Sequence, residues 1–337
     1  MAEFKKATLA DVAAEVGVSA ITISRALRTP EKVSESLRQR IAVAIDRLGY
    51  HPDAAARALA SKRTNVIGVI IPSITNNVFS DVLHGIYEAL EGSAFDIQLA
   101  NYRYSPLKEE QLLRIFLGQK PAGLVIAGID QTEAARTMLE RAPCPVVQIM
   151  EISRDPVDML VGFSHSDAAA AATRHLVDQG YRAPGFLGAR MDPRSQRRFQ
   201  GFRTAAMEAG IYDDRRVFTT QRASTITLGG QLLAELLERT PETDSVFCNN
   251  DDLALGVLFE AQRRRLAVPG QLGICGFNDF EMMASACPAI TSVRTFREEM
   301  GGRAIAMLAA AIGGEHPAEP IVDLGFEVRP RESTARV

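Results

Sequence analysis

The sequence predicts an α/β protein in which a small all-α head precedes a larger body of doubly wound parallel sheets. Three observations carry this expectation. The first 50 residues hold three short amphipathic helix patterns, two of them stopped by glycine. From Asn65 onward, short apolar runs alternate with helical stretches, which is the signature of parallel sheets. The charge divides along the same line. Residues 1–63 hold 11 Lys/Arg against 7 Asp/Glu, a net of +4, which leaves −7 for the rest of a chain whose net charge is −3.

A length of 337 residues suggests two or three domains, and 46% hydrophobic with 23% charged residues is the balance of a soluble globular protein. The longest apolar stretches, such as Ala304 to Ile312, are about half of what a bilayer crossing needs. The start Met-Ala-Glu-Phe-Lys-Lys lacks an apolar signal core, so a cytoplasmic protein without membrane contact is expected. Cys144, Cys248, Cys275 and Cys287 are scattered, as suits a reducing compartment rather than a disulfide framework. The five histidines show no metal-ligand spacing, and neither a metal nor a cofactor is implied.

In the head, Leu9, Val12, Ala13 and Val16 mark one face of a helix capped by Thr8 with Asp11 and ended by Gly17. Ser19 caps a second helix with Ile23 and Leu27 on its inner side. Leu37, Ile41, Ile45 and Leu48 mark a third, ending at Gly49. Two helices joined by a tight Gly turn, with a third in support, read as a helix-turn-helix unit. On the second helix Ala20, Ile21, Ser24 and Arg25 then face outward. Ala20 and Ile21 are placed to touch base edges and thymine methyls, Thr22 and Ser24 to bond phosphates, and Arg25 to reach a guanine edge or a phosphate. Thr8 and Ser19, at the two helix starts, complete the expected contacts on the helices. The Ala-rich stretch after Pro52 is roughly two helical turns, below the length of about 12 residues at which isolated helices become marginal in water. It should be stable only when packed, which makes Leu59 a candidate minor-groove wedge with Arg57 beside it.

These residues carry a resemblance. Thr8-Leu9-Ala10-Asp11-Val12-Ala13, Gly17-Val18-Ser19, Thr22-Ile23-Ser24-Arg25, Val33-Ser34 and Leu48-Gly49-Tyr50-His51-Pro52 resemble the head of the lactose-repressor (LacI) family. The resemblance implies that Ala20, Ile21 and Arg25 read bases, that Thr22 and Ser24 hold phosphates, and that Leu59 levers the minor groove of double-stranded operator DNA under a homodimer.

The body alternates strands and helices in two series, which suggests two lobes with a ligand cleft at the strand ends. Motifs for catalysis are missing. No glycine has another two residues away, no Gly-Lys pair exists for a phosphate loop, and Gly162-Phe163-Ser164-His165-Ser166 lacks the second glycine of a nucleophile elbow. No enzyme is expected. Ile67-Gly68-Val69-Ile70-Ile71-Pro72, Asn249-Asn250-Asp251-Asp252-Leu253, Val268-Pro269 and Gly276-Phe277-Asn278-Asp279 resemble the family's sensor domain, which is itself similar to periplasmic sugar-binding proteins. That places a helix-turn-helix domain at 1–50, a hinge helix at 51–63 and a sensing and dimerisation domain at 64–337. Its first lobe is expected at about 64–163 plus 295–324, and its second at about 164–294 plus 325–330, with three crossings.

Candidate ligand residues sit at strand ends: Ser73, Phe79, Glu151, Phe163, Arg194, Arg198, Thr225, Asn250, Asn278 and Arg297. By family position Arg198 is the cleft arginine, while Asn250 and Asn278 are polar sugar contacts. Thr225 stands where many relatives have a stacking aromatic, and Phe79 is either an apolar wall or core. The basic run Asp192 to Arg198 at a helix start favours an anion, and Arg297 could add charge from the other lobe. A carboxylate sugar is therefore expected. Within the family, Pro72 to Phe79 and Phe247 to Ala254 look most like gluconate-operon repressors, so gluconate, 2-ketogluconate or 6-phosphogluconate is the implied effector. The alternative is a stand-alone solute-binding protein of sugar transport. Exchanging Ala20 and Ile21 for another regulator's pair should redirect sequence preference in a DNA selection experiment while leaving the steep salt dependence of binding unchanged.

Overall fold

Most strands of the body run into a helix whose first residues are fixed by a side-chain cap, as at Asn76, Ser105, Thr132, Ser164, Asp192, Thr225 and Asn250. The computed structural model describes residues 7–28, 32–50 and 64–336. They fall into two units that divide between Thr64 and Asn65.

In the first unit, α1 (Leu9–Val16) starts at Thr8, whose hydroxyl accepts the Asp11 N–H while the Asp11 carboxylate accepts the Thr8 N–H at 2.7 Å. Gly17 ends it at φ 74°, in the left-handed region where a side chain is disfavoured. α2 (Ala20–Arg28) starts at Ser19, whose Oγ accepts the Thr22 N–H at 3.2 Å. α3 (Glu35–Leu48) closes the unit. Val12, Val16, Ile23, Ile41 and Tyr50 form its core. Leu27, expected inside, is 37% exposed; Ala26 is buried in its place. The packed face of α2 is turned toward the i+3 neighbour of Ile23, where a small residue suits close approach to α1 and α3.

The second unit begins with β1 (Val66–Ile71), α4 (Asn77–Leu90), β2 (Asp96–Asn101), α5 (Pro106–Gly118), β3 (Gly123–Ala127), α6 (Glu133–Glu140), β4 (Val146–Ile149) and β5 (Met159–Gly162). It continues with α7 (His165–Asp178), β6 (Pro184–Ala189), α8 (Pro193–Glu208), β7 (Val217–Thr220), α9 (Ile226–Arg239), β8 (Ser245–Cys248), α10 (Asp251–Arg263) and β9 (Gly273–Cys275). The last elements are α11 (Glu281–Ser285), β10 (Ser292–Thr295), α12 (Arg297–Ile312), β11 (Ile321–Asp323) and β12 (Phe326–Arg329).

Two parallel sheets result. The first has the order β11-β5-β4-β3-β1-β2 and the second β7-β6-β8-β9. β1, flanked by β3 and the edge strand β2, is buried along almost its whole length and pairs Val69 with both Leu99 and Val125. That position explains its uninterrupted apolar run. The chain leaves the first sheet after β5, returns to it through α12, which packs on α4, and leaves again after β11. β10 and β12 pair antiparallel beside α7, so they bind the returning segments together. One hydrophobic cluster continues through the crossings, from Ile67 and Val147 by way of Phe163 to Phe186, Phe247 and Phe277. Among the described residues no helix is long and apolar enough to cross a membrane.

α7 and α8 lie against each other with their backbones nearly in contact. A Cβ added at Gly201 on α8 would stand 2.0 Å from the Ser166 carbonyl oxygen of α7. Gly201→Ala should force the pair apart and cost about 1–3 kcal/mol, read as a lower denaturation midpoint of the body.

Candidate functional site

On the head, α2 presents Ala20, Ile21 and Arg25 to solvent, and Ile21 is 72% exposed. Thr22 and Ser24 are half-buried on the same helix, and the Thr22 hydroxyl lies 2.9 Å from that of Ser19. Thr8 and Ser19 use their hydroxyls to cap α1 and α2. Arg57 and Leu59 lie outside the described residues.

In the body, the ends of β1, β2, β6 and β8 and the loop after β9 enclose a cleft between the sheets. Its cavity volume is about 50 Å³, below the roughly 300–1,000 Å³ of typical small-molecule sites. Phe79, Arg194, Arg198, Asn250 and Asn278 line it as the sequence led one to expect. Asn76, Tyr104, Arg190, Asp192, Ser224 and Asp252 line it too.

Arg198 is the best-anchored group. It is buried, its Nε donates to His165 Nδ1 at 3.0 Å, its Nη1 donates to the Asn249 carbonyl at 2.5 Å, and its guanidinium lies 3.9 Å from the Phe277 ring centroid. None of these partners is a carboxylate, and Arg198 forms no ion pair among the described residues. Burial lowers its pKa to about 10; the Asp192 carboxylate opposes the shift and repulsion from Arg194 adds to it. It remains a cation at neutral pH.

His165 holds Arg198 in place. Its Nδ1 accepts from Arg198, so the proton sits on Nε2, which donates to the Met150 carbonyl at 2.8 Å. Burial first, then the charges of Arg198 and Arg194, hold its pKa well below the usual 6.5. The sequence drew attention to this histidine only as part of an incomplete nucleophile elbow. Its place at the start of α7, next to the start of α8, gives it a different task.

Arg194 is buried beside the same cavity and makes no hydrogen bond among the described residues. Its one ion pair is with Asp192 at 3.6 Å, and its guanidinium lies 5.4 Å from the Phe79 ring centroid. Burial opposes its charge, but Asp192, with Tyr102 and Tyr104 nearby, raises its pKa overall. A planar fork of donors thus faces the cavity with its hydrogen-bonding capacity unused.

Five expected ligand residues do other work. The Ser73 hydroxyl accepts the N–H groups of Thr75 and Asn76 and shapes the loop into α4. Glu151 turns back on its own backbone, accepting the Ile152 N–H at 3.0 Å. Phe163 is core, packed against His165 and Phe277. Thr225 is the exposed cap of α9, and its neighbour Ser224 enters the cleft instead, donating to Asn250 Oδ1 at 2.7 Å. Arg297 does not enter the cavity. As the first residue of α12 it is carried onto α4, where Asp81 accepts two bonds at 2.9 and 2.6 Å, and its remaining donors go to Thr295 and the Asn278 carbonyl.

The comparisons agree with both halves. Residues 8–53 match the description of bacterial regulatory proteins of the lacI family, and residues 173–334 match a periplasmic binding protein-like domain. The chain is 41% identical over 327 residues to the HTH-type transcriptional regulator GntR of Pseudomonas aeruginosa, covering 97% of this chain and 95% of that one. It is 37% identical to the regulator of the same name from Escherichia coli, covering 97% and 98%. A transcriptional regulator of the LacI family from Silicibacter pomeroyi superposes with a TM-score of 0.92 at 35% identity, covering 98% of this chain and all of the other. The chain belongs to the LacI family of bacterial regulatory proteins. It is a DNA-binding transcriptional regulator, and a transport protein would have no use for its head.

Because His165 is held neutral in the fold, its contribution to stability follows a set direction with pH. A folded pKa below 6.5 means the unfolded chain binds the proton first, so stability is full above about pH 6.5 and is lost as pH falls below it. His165→Gln, which keeps an acceptor, should flatten that part of the slope in denaturation measured from pH 7 to pH 5.

Proposed function

We propose that this protein is a repressor of sugar-acid catabolism genes that leaves its operator when a small carboxylate sugar enters the body's cleft. Gluconate is placed ahead of 2-ketogluconate and 6-phosphogluconate. The observation that carries this reading is a pair of buried arginines at one cavity, Arg198 with no ion pair among the described residues and Arg194 with only a long one to Asp192, joined in the lining by Arg190 against the carboxylates Asp192 and Asp252. Burial disfavours the Arg198 cation more than the nearby carboxylates Asp192, Asp251 and Glu151 offset, and an anionic ligand would relieve that cost. A neutral sugar would leave it in place. Asn76, Asn250, Asn278, Ser224 and Asp252 offer the donors and acceptors that hydroxyl groups need. The protein acts by binding rather than by catalysis.

In this reading residues 1–50 read DNA, 51–63 form a hinge helix ordered on the operator, and 64–337 sense the ligand and dimerise. Each head of a homodimer then meets one half of a pseudo-palindrome. The ligand weakens operator binding because it favours a lobe arrangement that separates the paired hinges. Tight binding of a sugar acid that instead strengthens operator affinity would make it a corepressor and reverse the sign.

Calorimetry of the full-length protein against the three acids and a set of neutral sugars is the test. The acids should bind. Arg194→Gln and Arg198→Gln should each weaken them at least about tenfold, the equivalent of about 1.4 kcal/mol. Binding confined to neutral sugars, or unchanged affinity in both variants, would overturn the assignment.

A further inference from the structure

The segment that opens α8 sends three arginines from the second lobe to the first. Arg190 lies 4.2 Å from the ring centroid of Tyr104, and Arg194 lies over Phe79. Arg197 makes the strongest contact. Its Nη1 and Nη2 donate to the two oxygens of Asp130, just past β3, at 2.8 and 2.6 Å. Its Nε stands 3.4 Å from Glu151 Oε2, just past β4. Arg197 does not line the cleft and so does not touch a ligand there.

Glu151 makes this more than a surface bridge. Its side chain is only 4% exposed, its Oε2 accepts no hydrogen bond, and Arg197 is its one ion-pair partner among the described residues. Opening the lobes would take Arg197 away from Glu151 and let water reach the carboxylate, so the pair favours the closed arrangement by a modest margin. Asp130 and Arg197 are each about a third exposed, so their own pair is worth the modest amount of a well-formed solvated bridge. Bidentate geometry fixes direction as well as distance.

We propose that Arg197, gripping Asp130 and Glu151, is a latch that holds the lobes together in the free protein and sets the effector concentration at which the regulator responds. The second half rests on the reading that the effector binds between the lobes. A ligand that needs closed lobes binds in proportion to the fraction already closed. The latch raises that fraction without touching the ligand, which makes Arg197 a positioning residue.

The test uses the full-length protein with Cys287→Ser and spin labels at exposed Glu133 on the first lobe and Gln221 on the second. Distance distributions by pulsed dipolar spectroscopy are taken without ligand, and gluconate is titrated in parallel. Arg197→Gln should shift the free protein toward longer distances and weaken gluconate about two- to fivefold. Asp130→Ala, which leaves Arg197 beside Glu151, should do the same to a similar or smaller extent. Arg197→Lys should fall between wild type and Arg197→Gln. The double variant should go no further than Arg197→Gln alone, because both changes remove one contact. Unchanged distances in both single variants, or effects that simply add, would overturn the latch. Wild-type protein that binds no gluconate overturns the threshold half together with the effector reading, while the distances still decide the latch itself.

Discussion

The close approach of α7 and α8 is the constraint on which the body's chemistry depends. Gly201 lets the two helices touch backbone to backbone at Ser166. Each helix starts at the carboxyl end of a strand facing the cleft, so their first turns meet there too. His165 opens α7, and Arg198 lies one turn before Gly201 on α8. Only helices this close let Arg198 Nε reach His165 Nδ1 at 3.0 Å. The rest follows from that contact. A neutral imidazole fixes a buried guanidinium without neutralising it, and the guanidinium is then left to face the cavity as a cation.

The neighbouring arginines show how one basic run serves different ends. The helix turns about 100° per residue, so Arg194 and Arg198, four apart, share a face. Both point into the cleft, while Arg197 is rotated toward Asp130 in the other lobe. Asp192 caps the helix and moderates Arg194 from the same turn. The cleft lining and the lobe contact therefore come from adjacent residues of a single helix.

Much of this architecture is legible in the sequence because it rests on local rules. Apolar runs such as Val66 to Ile71 and Ser245 to Cys248, with capping residues Asn250 and Thr225 after strands, mark where strands end and helices begin. β5 and β11 escape notice as strands of only four and three residues, and α6 shows no clear apolar face because it buries only Ala135 and Leu139. The site is legible only to the level of which loops approach it. Whether Ser73 or Asn76, Thr225 or Ser224, enters the cavity depends on turn geometry that strand periodicity does not encode. Tyr104 lies in a loop at φ 57° and Arg190 at φ 61°, outside any repeating pattern. Arg297 was misplaced because a strand end fixes where a side chain starts, not that Asp81, some 200 residues earlier, will capture it. The same holds for Arg197 and Asp130, whose meeting depends on both lobes being folded.

The core that runs unbroken through the crossings has its own consequence. Ile67, Phe163, Phe247 and Phe277 belong to one apolar cluster although they come from different sheets. Loss of packing in one lobe would expose apolar surface of the other, which favours cooperative melting of the body over two independent steps. For a protein that must change shape to carry a signal, this leaves rotation about the crossing strands as the soft coordinate.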